Sequence, residues 1–152
     1  MEGHGKRVLI VDDNRDVRHV ISLLLMSAGY TVSEAGDGVE AVAELKRRRY
    51  DVILTDVRMP HMNGRELLKI CRDQYPLTPV IVLSNDFHSP ADSHPPVSAE
   101  DGAFACLSKP VDARLLLYAV RNALADPDPT AHNAAPLRKD LALHWKPGPP
   151  PA

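Results

Sequence analysis

The sequence predicts an α/β fold, a doubly wound five-stranded parallel sheet with strand order 2-1-3-4-5. Short apolar runs, typical of strands buried on both faces, alternate with segments whose apolar residues recur at helical spacing. The connections are short, and parallel strands need crossovers that cover both faces of the sheet. In this order the first and third strands are neighbours at the topological switch point, where such sheets bind ligands.

The first strand and helix follow from an apolar run near the amino terminus. This run, residues 8–11, ends in the acidic pair Asp12 and Asp13. Asn14 can cap the helix that follows, and Gly29 can adopt the left-handed conformation that ends it. Helical spacing predicts five inward-facing residues: Val17, Val20, Ile21, Leu24 and Ala28.

The second unit is a short strand at residues 30–34 and a helix that begins after a turn at 36–38. Its predicted inward residues are Ala41, Val42 and Leu45. Three arginines at 47–49 end this helix and offer a candidate nucleic-acid patch, but cations at a helix carboxyl terminus also complement the helix dipole. We therefore interpret them as a solvated helix face.

A third apolar run, residues 52–55, is followed by Asp56, which leads into a loop that contains Met59 and Pro60. Such a run between turn residues fits a strand buried on both faces. Burying a charge is costly. We therefore expect Asp56 at the carboxyl end of its strand, where the sheet meets solvent.

The third helix and the fourth strand come next. Asn63 and Glu66 have the spacing of a capping box, and Pro76 marks the end of the helix. The helix is predicted to bury Leu67, Ile70 and Cys71. Residues 79–83 then form the fourth strand, which ends at the hydroxyl of Ser84.

Residues 85–98 interrupt the alternation. Pro90, Pro95 and Pro96 remove backbone donors and restrict φ where a helix is expected. The fourth helix of the pattern is therefore predicted to be disrupted by prolines.

A fifth strand at residues 104–107 leads through Ser108 and Lys109 into a last helix that Asp112 can cap. The predicted buried side of this helix carries Leu116, Leu117, Val120 and Leu124. We assign residues 1–125 to one domain.

Residues 126–152 form a proline-rich tail that contains seven of the fourteen prolines. It is too poor in apolar residues to build a second core, so we expect it to be disordered or to dock on a partner. The docking alternative rests on Leu137, Leu141 and Trp145, which recur at four-residue spacing.

Composition excludes several classes of protein. The chain has 152 residues, 44% of them hydrophobic, and a net charge of −2, which gives no general attraction to nucleic acid or anionic membranes. No apolar run approaches the length of a membrane span, and the start lacks the apolar core of a signal peptide, so we expect a cytoplasmic protein.

Cys71 and Cys106 fall in apolar-periodic elements and are predicted to be reduced.

Five polar side chains are expected to converge where the strands end. Three carboxylates, those of Asp12, Asp13 and Asp56, would repel one another unless a cation neutralises them. Mg²⁺ prefers oxygen ligands, and no cluster of Cys and His suits zinc. With Mg²⁺, Ser84 and Lys109 would form a cradle for a phosphoryl group on Asp56. Taken singly, each aspartate of the pair can be a helix cap and Lys109 an exposed loop cation.

The chain resembles receiver domains of the two-component response-regulator family over about residues 6–124. The matching segments are VLIVDDN at 8–14, DVILTDVRMPHMNG at 51–64, PVIVLS at 79–84 and GAFACLSKP at 102–110. The resemblance implies a flavodoxin-like fold of the kind found in chemotaxis regulators. It also implies a histidine kinase or phosphotransfer protein as phosphoryl donor and a downstream protein as target.

The resemblance implies a role for each site residue: Asp56 as phosphoacceptor and metal ligand, Asp12, Asp13 and the Arg58 backbone carbonyl as further ligands of Mg²⁺, Ser84 as hydroxyl switch and Lys109 as phosphoryl contact. Such a module is not an enzyme with a separate substrate, since it catalyses its own phosphoryl transfer and slow dephosphorylation.

Three local features depart from the family pattern. Phe104 and Cys106 occupy the region before Leu107 where the family usually places its aromatic residue, and Asn85 follows the switch hydroxyl. Arg58 and Asp86 each lie two residues past a site residue. We hypothesise that these two pair across the site and slow hydrolysis.

Three function classes stay open. A single-domain regulator is favoured because the five site residues are present and no output domain follows residue 125. An atypical pseudo-receiver, a phosphorylation-independent binding module, is the alternative because its switch elements are altered. A haloacid-dehalogenase-type phosphohydrolase should have Asp-x-Asp after its first strand, where this chain has Asp12-Asp13-Asn14. No direct nucleic-acid or membrane partner is expected, and dimerisation is left open.

Overall fold

The part of the chain that the structure describes contains five strands and four helices. A computed structural model describes residues 5–57, 62, 64–85 and 102–125. In chain order the elements are β1 (Arg7–Val11), α1 (Arg15–Ser27), β2 (Thr31–Ala35), α2 (Gly38–Arg47), β3 (Val52–Asp56), α3 (Gly64–Gln74), β4 (Val80–Asn85), β5 (Ala105–Lys109) and α4 (Ala113–Ala125).

The strands form one parallel sheet in the order β2-β1-β3-β4-β5, which confirms the predicted topology. Val11 at the end of β1 lies opposite Thr55, one residue before the end of β3. Asp56 is opposite Leu83, and Ser84 is opposite Ser108. The carboxyl ends of the four strands β1, β3, β4 and β5 therefore meet at one edge of the sheet.

The two faces of the sheet bury separate cores. Val8 and Ile10 of β1 belong to the core under α1 and α4, whereas Leu9 and Val11 belong to the core under α2 and α3. Successive residues of a strand point to opposite faces, so a strand covered on both sides must be apolar throughout. All four of these side chains are fully buried, as the continuous apolar run predicts.

The helix termini follow the predicted capping chemistry. The Asn14 side chain accepts hydrogen bonds from the amides of Asp16 and Val17, at 2.9 and 3.1 Å. Gly29 follows α1 by two residues and has a φ of 96°, the left-handed conformation that commonly ends a helix. Asp112 accepts from the amides of the first turn of α4, at 2.9 and 3.1 Å.

The buried faces of two helices differ from the prediction. Val20 is 65% exposed, because α1 turns a narrow stripe centred on Ile21 and Leu25 towards the sheet. In α3 the structure buries Leu68 beside Leu67, whereas Ile70, which was predicted to be buried, is only partly buried. Both helices contain more apolar residues than one stripe accommodates, so periodicity alone misplaced the centre of each stripe.

Two strands extend further than the sequence prediction placed them. β4 reaches Asn85 and β5 reaches Lys109, because their backbones stay paired as far as the Asn85–Lys109 register position. Backbone pairing does not require apolar side chains, so the polar residues at the edge remain within the strands.

Other predictions concern single residues and the surface. Cys71 and Cys106 form no disulfide, as predicted. The side chains of Arg47 and Arg48 are 65% and 41% exposed and lie 2.8 and 3.9 Å from Glu44, which agrees with a solvated helix face. Within the described ranges, no helix combines the length and apolar content that a membrane crossing requires.

Several predictions lie outside the described residues. They are the proline-disrupted fourth helix, the tail at 126–152, the Asn63 cap, the Arg58 carbonyl ligand, the pairing of Arg58 with Asp86 and the Asn85 side chain.

Candidate functional site

Three carboxylates meet where β1 and β3 end. Asp12 and Asp13 follow β1, and Asp56 is the last residue of β3, the neighbouring strand. One oxygen from each side chain lies within 4.8 Å of the others. The structure thus brings together the three acidic residues that the sequence placed at this edge.

Lys109 joins this cluster from β5, although β4 separates its strand from β3. Its Nζ lies 2.9 Å from Asp12 Oδ2 and 3.2 Å from Asp56 Oδ2. The lysine side chain is 17% exposed, so the ammonium is largely withdrawn from solvent between the two carboxylates. The peptide bond from Lys109 to Pro110 is cis.

The Asp12 carboxylate is held at both oxygens. Oδ1 accepts a hydrogen bond from the amide of Asn14 at 2.9 Å, and Oδ2 accepts one from Lys109. The backbone amide of Asp12 donates to the carbonyl of Ala35 in β2. With only 1% of its surface exposed, Asp12 is fixed in orientation.

Asp56 is 9% exposed, and its Oδ1 accepts a hydrogen bond from the amide of Val57 at 2.8 Å. Burial raises the pKa of Asp56, the charge of Lys109 opposes this rise, and the charge of Asp12 adds to it. Added positive charge would therefore stabilise the ionised carboxylate.

Lys109 keeps its charge in this environment. Burial works to lower its pKa, but the hydrogen bond to Asp12 and the charge of Asp56 outweigh that effect and leave the pKa raised. The site therefore contains an ammonium among three carboxylates.

The donor set fits a hard divalent cation. Three carboxylates and one ammonium leave a formal charge of −2, and every candidate ligand atom in the cluster is an oxygen. Asp13, unlike Asp12, is exposed, so its carboxylate is accessible from solvent. Mg²⁺ favours a few carboxylates with several retained waters. These residues can therefore hold Mg²⁺.

The first residue of α3 packs directly on the backbone of Asp56. A Cβ added to Gly64 would lie 2.1 Å from the Asp56 carbonyl oxygen and 2.9 Å from the Cα of Val57. The Gly64 amide also donates to the Val57 carbonyl at 2.7 Å. Only glycine allows this approach, which fixes the end of β3 against α3.

Ser84 reaches the same edge on β4. It is partly buried and follows Leu83, which is the register partner of Asp56. In the part of the chain that the structure describes, no hydrogen bond joins the Ser84 hydroxyl to Asp56 or Lys109. The backbone thus brings Ser84 to the same end of the sheet as the cluster, without a hydrogen bond from its hydroxyl to Asp56 or Lys109.

Arg18 contacts the site, although no motif or spacing in the sequence indicated it. Its guanidinium donates from Nη1 to the carbonyl of Asp12 and from Nε to Glu34, at 2.5 and 3.0 Å. The available signal for such a partner was Glu34, a charged residue within the short second strand, because its carboxylate must find a cation or solvent there.

Comparison with known proteins identifies relatives of this chain. A family model described as the response regulator receiver domain matches residues 8–121. The DNA-binding transcriptional regulator NtrC of Salmonella typhimurium is 38% identical over 119 residues, which are 78% of this chain and 24% of that protein. The chain thus spans about a quarter of the length of this relative.

Solved structures share the fold. The chemotaxis response regulator CheY4 of Vibrio cholerae is 38% identical, with a TM-score of 0.68, and the match covers 79% of this chain and 99% of that one. The response regulator protein TrrA of Thermotoga maritima, solved in complex with Mg(2+)-BeF, is 26% identical with a TM-score of 0.68 and covers 78% and 99% of the two chains.

Proposed function

Because the chain belongs to the response regulator receiver domain family, we propose that this two-component signalling module accepts a phosphoryl group on Asp56. The observation that carries the proposal is the position of Lys109, whose ammonium lies 3.2 Å from Asp56 and 2.9 Å from Asp12 within a cluster of carboxylates. A cation at this distance can neutralise charge on a phosphoryl group attached to Asp56.

The proposed transfer uses these side chains in the following way. A carboxylate oxygen of Asp56 attacks the phosphorus of a phosphohistidine donor and forms the P–O bond. The P–N bond breaks, and its electron pair leaves with the imidazole of the donor. Lys109 compensates charge on the phosphoryl oxygens, and Ser84 can donate a hydroxyl hydrogen bond from the adjacent strand. Phosphoryl transfer depends mainly on such positioning and charge neutralisation.

We propose Mg²⁺ as the cofactor, with Asp12, Asp13, Asp56 and the Arg58 carbonyl as the residues that hold it. The formal charge of the described cluster and its oxygen-only donor set support this choice. The Mg(2+)-BeF complex of the Thermotoga maritima relative supports it as well. When bound, Mg²⁺ supplies positive charge next to the phosphoryl oxygens.

The donor is proposed to be a histidine kinase or a phosphotransfer protein, and a downstream protein is proposed to read the phosphorylated state. We propose that the receiver module acts as a single domain in the cytoplasm, through protein contacts and without direct binding to nucleic acid or membranes. Slow hydrolysis of the Asp56 phosphate by water would return the module to its resting state.

The experiment is phosphorylation by a small donor. The full chain is incubated with acetyl phosphate and Mg²⁺, and its intact mass is measured. We expect the mass of one added phosphoryl group in the wild type and none in Asp56→Asn, because the amide is not a phosphoryl acceptor. Chelation of Mg²⁺ should abolish the addition. An unmodified wild-type chain that still binds Mg²⁺ would contradict the proposal.

One observation favours the alternative of a phosphorylation-independent binding module. Phe104 is 2% exposed within the core under α1 and α4, and Cys106 is partly buried on the other face. In the described residues before Leu107, no exposed aromatic ring is available to report a movement of Ser84. Partner binding that is identical for wild type and Asp56→Asn would favour this alternative.

Asn14 argues against the phosphohydrolase class. Its side-chain oxygen caps α1 through two backbone amides, at 2.9 and 3.1 Å. It is therefore occupied with helix capping, at the position where a second catalytic aspartate would be needed.

A further inference from the structure

Arg18 links the turn after β1 to the neighbouring strand β2. Its Nη1 donates to the backbone carbonyl of Asp12, and its Nε lies 3.0 Å from Glu34 Oε1. The Arg18 side chain is only 17% exposed, whereas that of Glu34 is 39% exposed. The guanidinium therefore binds a backbone carbonyl at the site with the help of a carboxylate outside it.

The two hydrogen bonds of this guanidinium define its position. Gly36, which follows β2, lies beside it, because a Cβ on Gly36 would be 3.7 Å from Arg18 Nη1, an ordinary contact distance. A planar guanidinium with two fixed hydrogen bonds is better ordered than a lysine ammonium in the same place.

The carbonyl that Arg18 binds controls the orientation of the next residue. The Asp12 carbonyl and the Asp13 amide belong to one planar peptide unit, so fixing this oxygen also fixes the orientation of the peptide plane that leads into Asp13. Asp12 itself is held through its amide and both carboxylate oxygens. Asp13 is exposed, and the peptide plane before it is the part that Arg18 restrains.

We propose that Arg18 is a positioning residue for the metal site, and that its two-point contact to Asp12 and Glu34 sets the direction of the Asp13 carboxylate. This inference rests on the proposed function, since it takes Asp13 as a ligand of Mg²⁺. Arg18 contacts the backbone carbonyl of Asp12 and acts through that backbone.

The direction in which Mg²⁺ affinity changes when Arg18 is replaced distinguishes a positioning role from a purely electrostatic one. Arg18 is a cation near an acidic cluster, so removal of its charge alone should strengthen Mg²⁺ binding slightly. Loss of a positioning contact should weaken binding instead, by about 10-fold if Arg18 behaves like other outer-shell partners of metal ligands.

The experiment measures Mg²⁺ binding to the full chain by isothermal titration calorimetry, with thermal unfolding as a check on folding. Arg18→Ala removes both charge and contact. Arg18→Lys keeps the charge but not the two-point contact. Arg15→Ala is the matched control, because Arg15 is an exposed cation in the first turn of the same helix.

We expect the dissociation constant for Mg²⁺ to rise about 10-fold in Arg18→Ala and to rise several-fold in Arg18→Lys. Arg15→Ala should show an unchanged or slightly lower constant. Wild-type affinity in both Arg18 variants, or tighter binding in Arg18→Ala, would overturn the inference while leaving the proposed function intact. A wild-type chain that binds no Mg²⁺ would overturn the metal site and this inference with it.

Discussion

The ammonium of Lys109 lies 3.2 Å from the carboxylate of Asp56, although β4 stands between their strands. The lysine side chain is long enough to cross the end of the intervening strand, and its second contact, to Asp12, keeps it there. The pair therefore connects one edge strand of the sheet to its centre.

Lys109→Ala should slow phosphorylation of Asp56 by about 100-fold, because removal of one preorganised donor from a site of developing charge has an effect of this size. The rate of mass increase with acetyl phosphate measures it. Lys69→Ala, which removes an exposed lysine of α3, serves as the control and should keep the wild-type rate. A Lys109→Ala rate within about two-fold of the wild type would contradict the charge-compensating role.

Gly64→Ala should destabilise the protein by about 1 to 3 kcal/mol, the range typical of forced overpacking. The reason is steric, since the new Cβ would lie 2.1 Å from the Asp56 carbonyl oxygen. Urea unfolding followed by circular dichroism measures the change, with Lys69→Ala on the same helix as control. A free energy of unfolding equal to that of the control would show that α3 does not pack on Asp56 in this way.

Cys71 should make stability depend on pH in the alkaline range. Burial raises the pKa of the Cys71 thiol to about 12. Above the ordinary thiol pKa of about 8.5, the unfolded chain ionises at this position while the folded chain keeps its proton. The unfolded state then binds fewer protons, so the free energy of unfolding falls as pH rises, by up to about 1.4 kcal/mol per pH unit.

Urea unfolding of the wild type, Cys71→Ala and Cys71→Ser over this pH range tests the effect. Both variants should lose the Cys71 contribution to the slope, whatever their absolute stability. Equal slopes in all three proteins would contradict a buried, protonated thiol.

The orientation of α1 gives a further prediction. Ile21→Ala should cost about 2 to 4 kcal/mol, because this side chain is 5% exposed in the core. Val20→Ala should change stability by less than about 0.5 kcal/mol, because Val20 is 65% exposed. Comparable losses in the two variants would indicate that α1 is rotated about its axis relative to this structure.

Continuous apolar runs predicted most of the strands, because a strand covered on both faces tolerates few polar residues, and the doubly wound fold class predicted their order. Asp12, Asp13 and Asp56 could be placed at one edge from the sequence, since the pair Asp12 and Asp13 follows one such run and Asp56 follows another. The residues that flank the runs carry this signal.

Other features depend on tertiary packing that periodicity does not encode. The buried stripe of α1 was misplaced because Val20 and Ile21 are both apolar and adjacent, and only the contact with the sheet selects Ile21. The contact of Arg18 with Asp12 depends on β2 lying next to β1, which brings Glu34 within reach. Helical spacing and composition do not distinguish Arg18 from the other basic residues, and the one available signal was the charged Glu34 within the short second strand.

The most direct test of the account is the chemical identity of the phosphorylated residue. The chain is phosphorylated with acetyl phosphate and Mg²⁺, reduced with borohydride, which converts an aspartyl phosphate to homoserine, and sequenced by peptide mass spectrometry. If Asp56 is the phosphoacceptor, homoserine is expected at residue 56 and unmodified aspartate at residues 12 and 13. Homoserine at either of those two residues, or at none of the three, would contradict it.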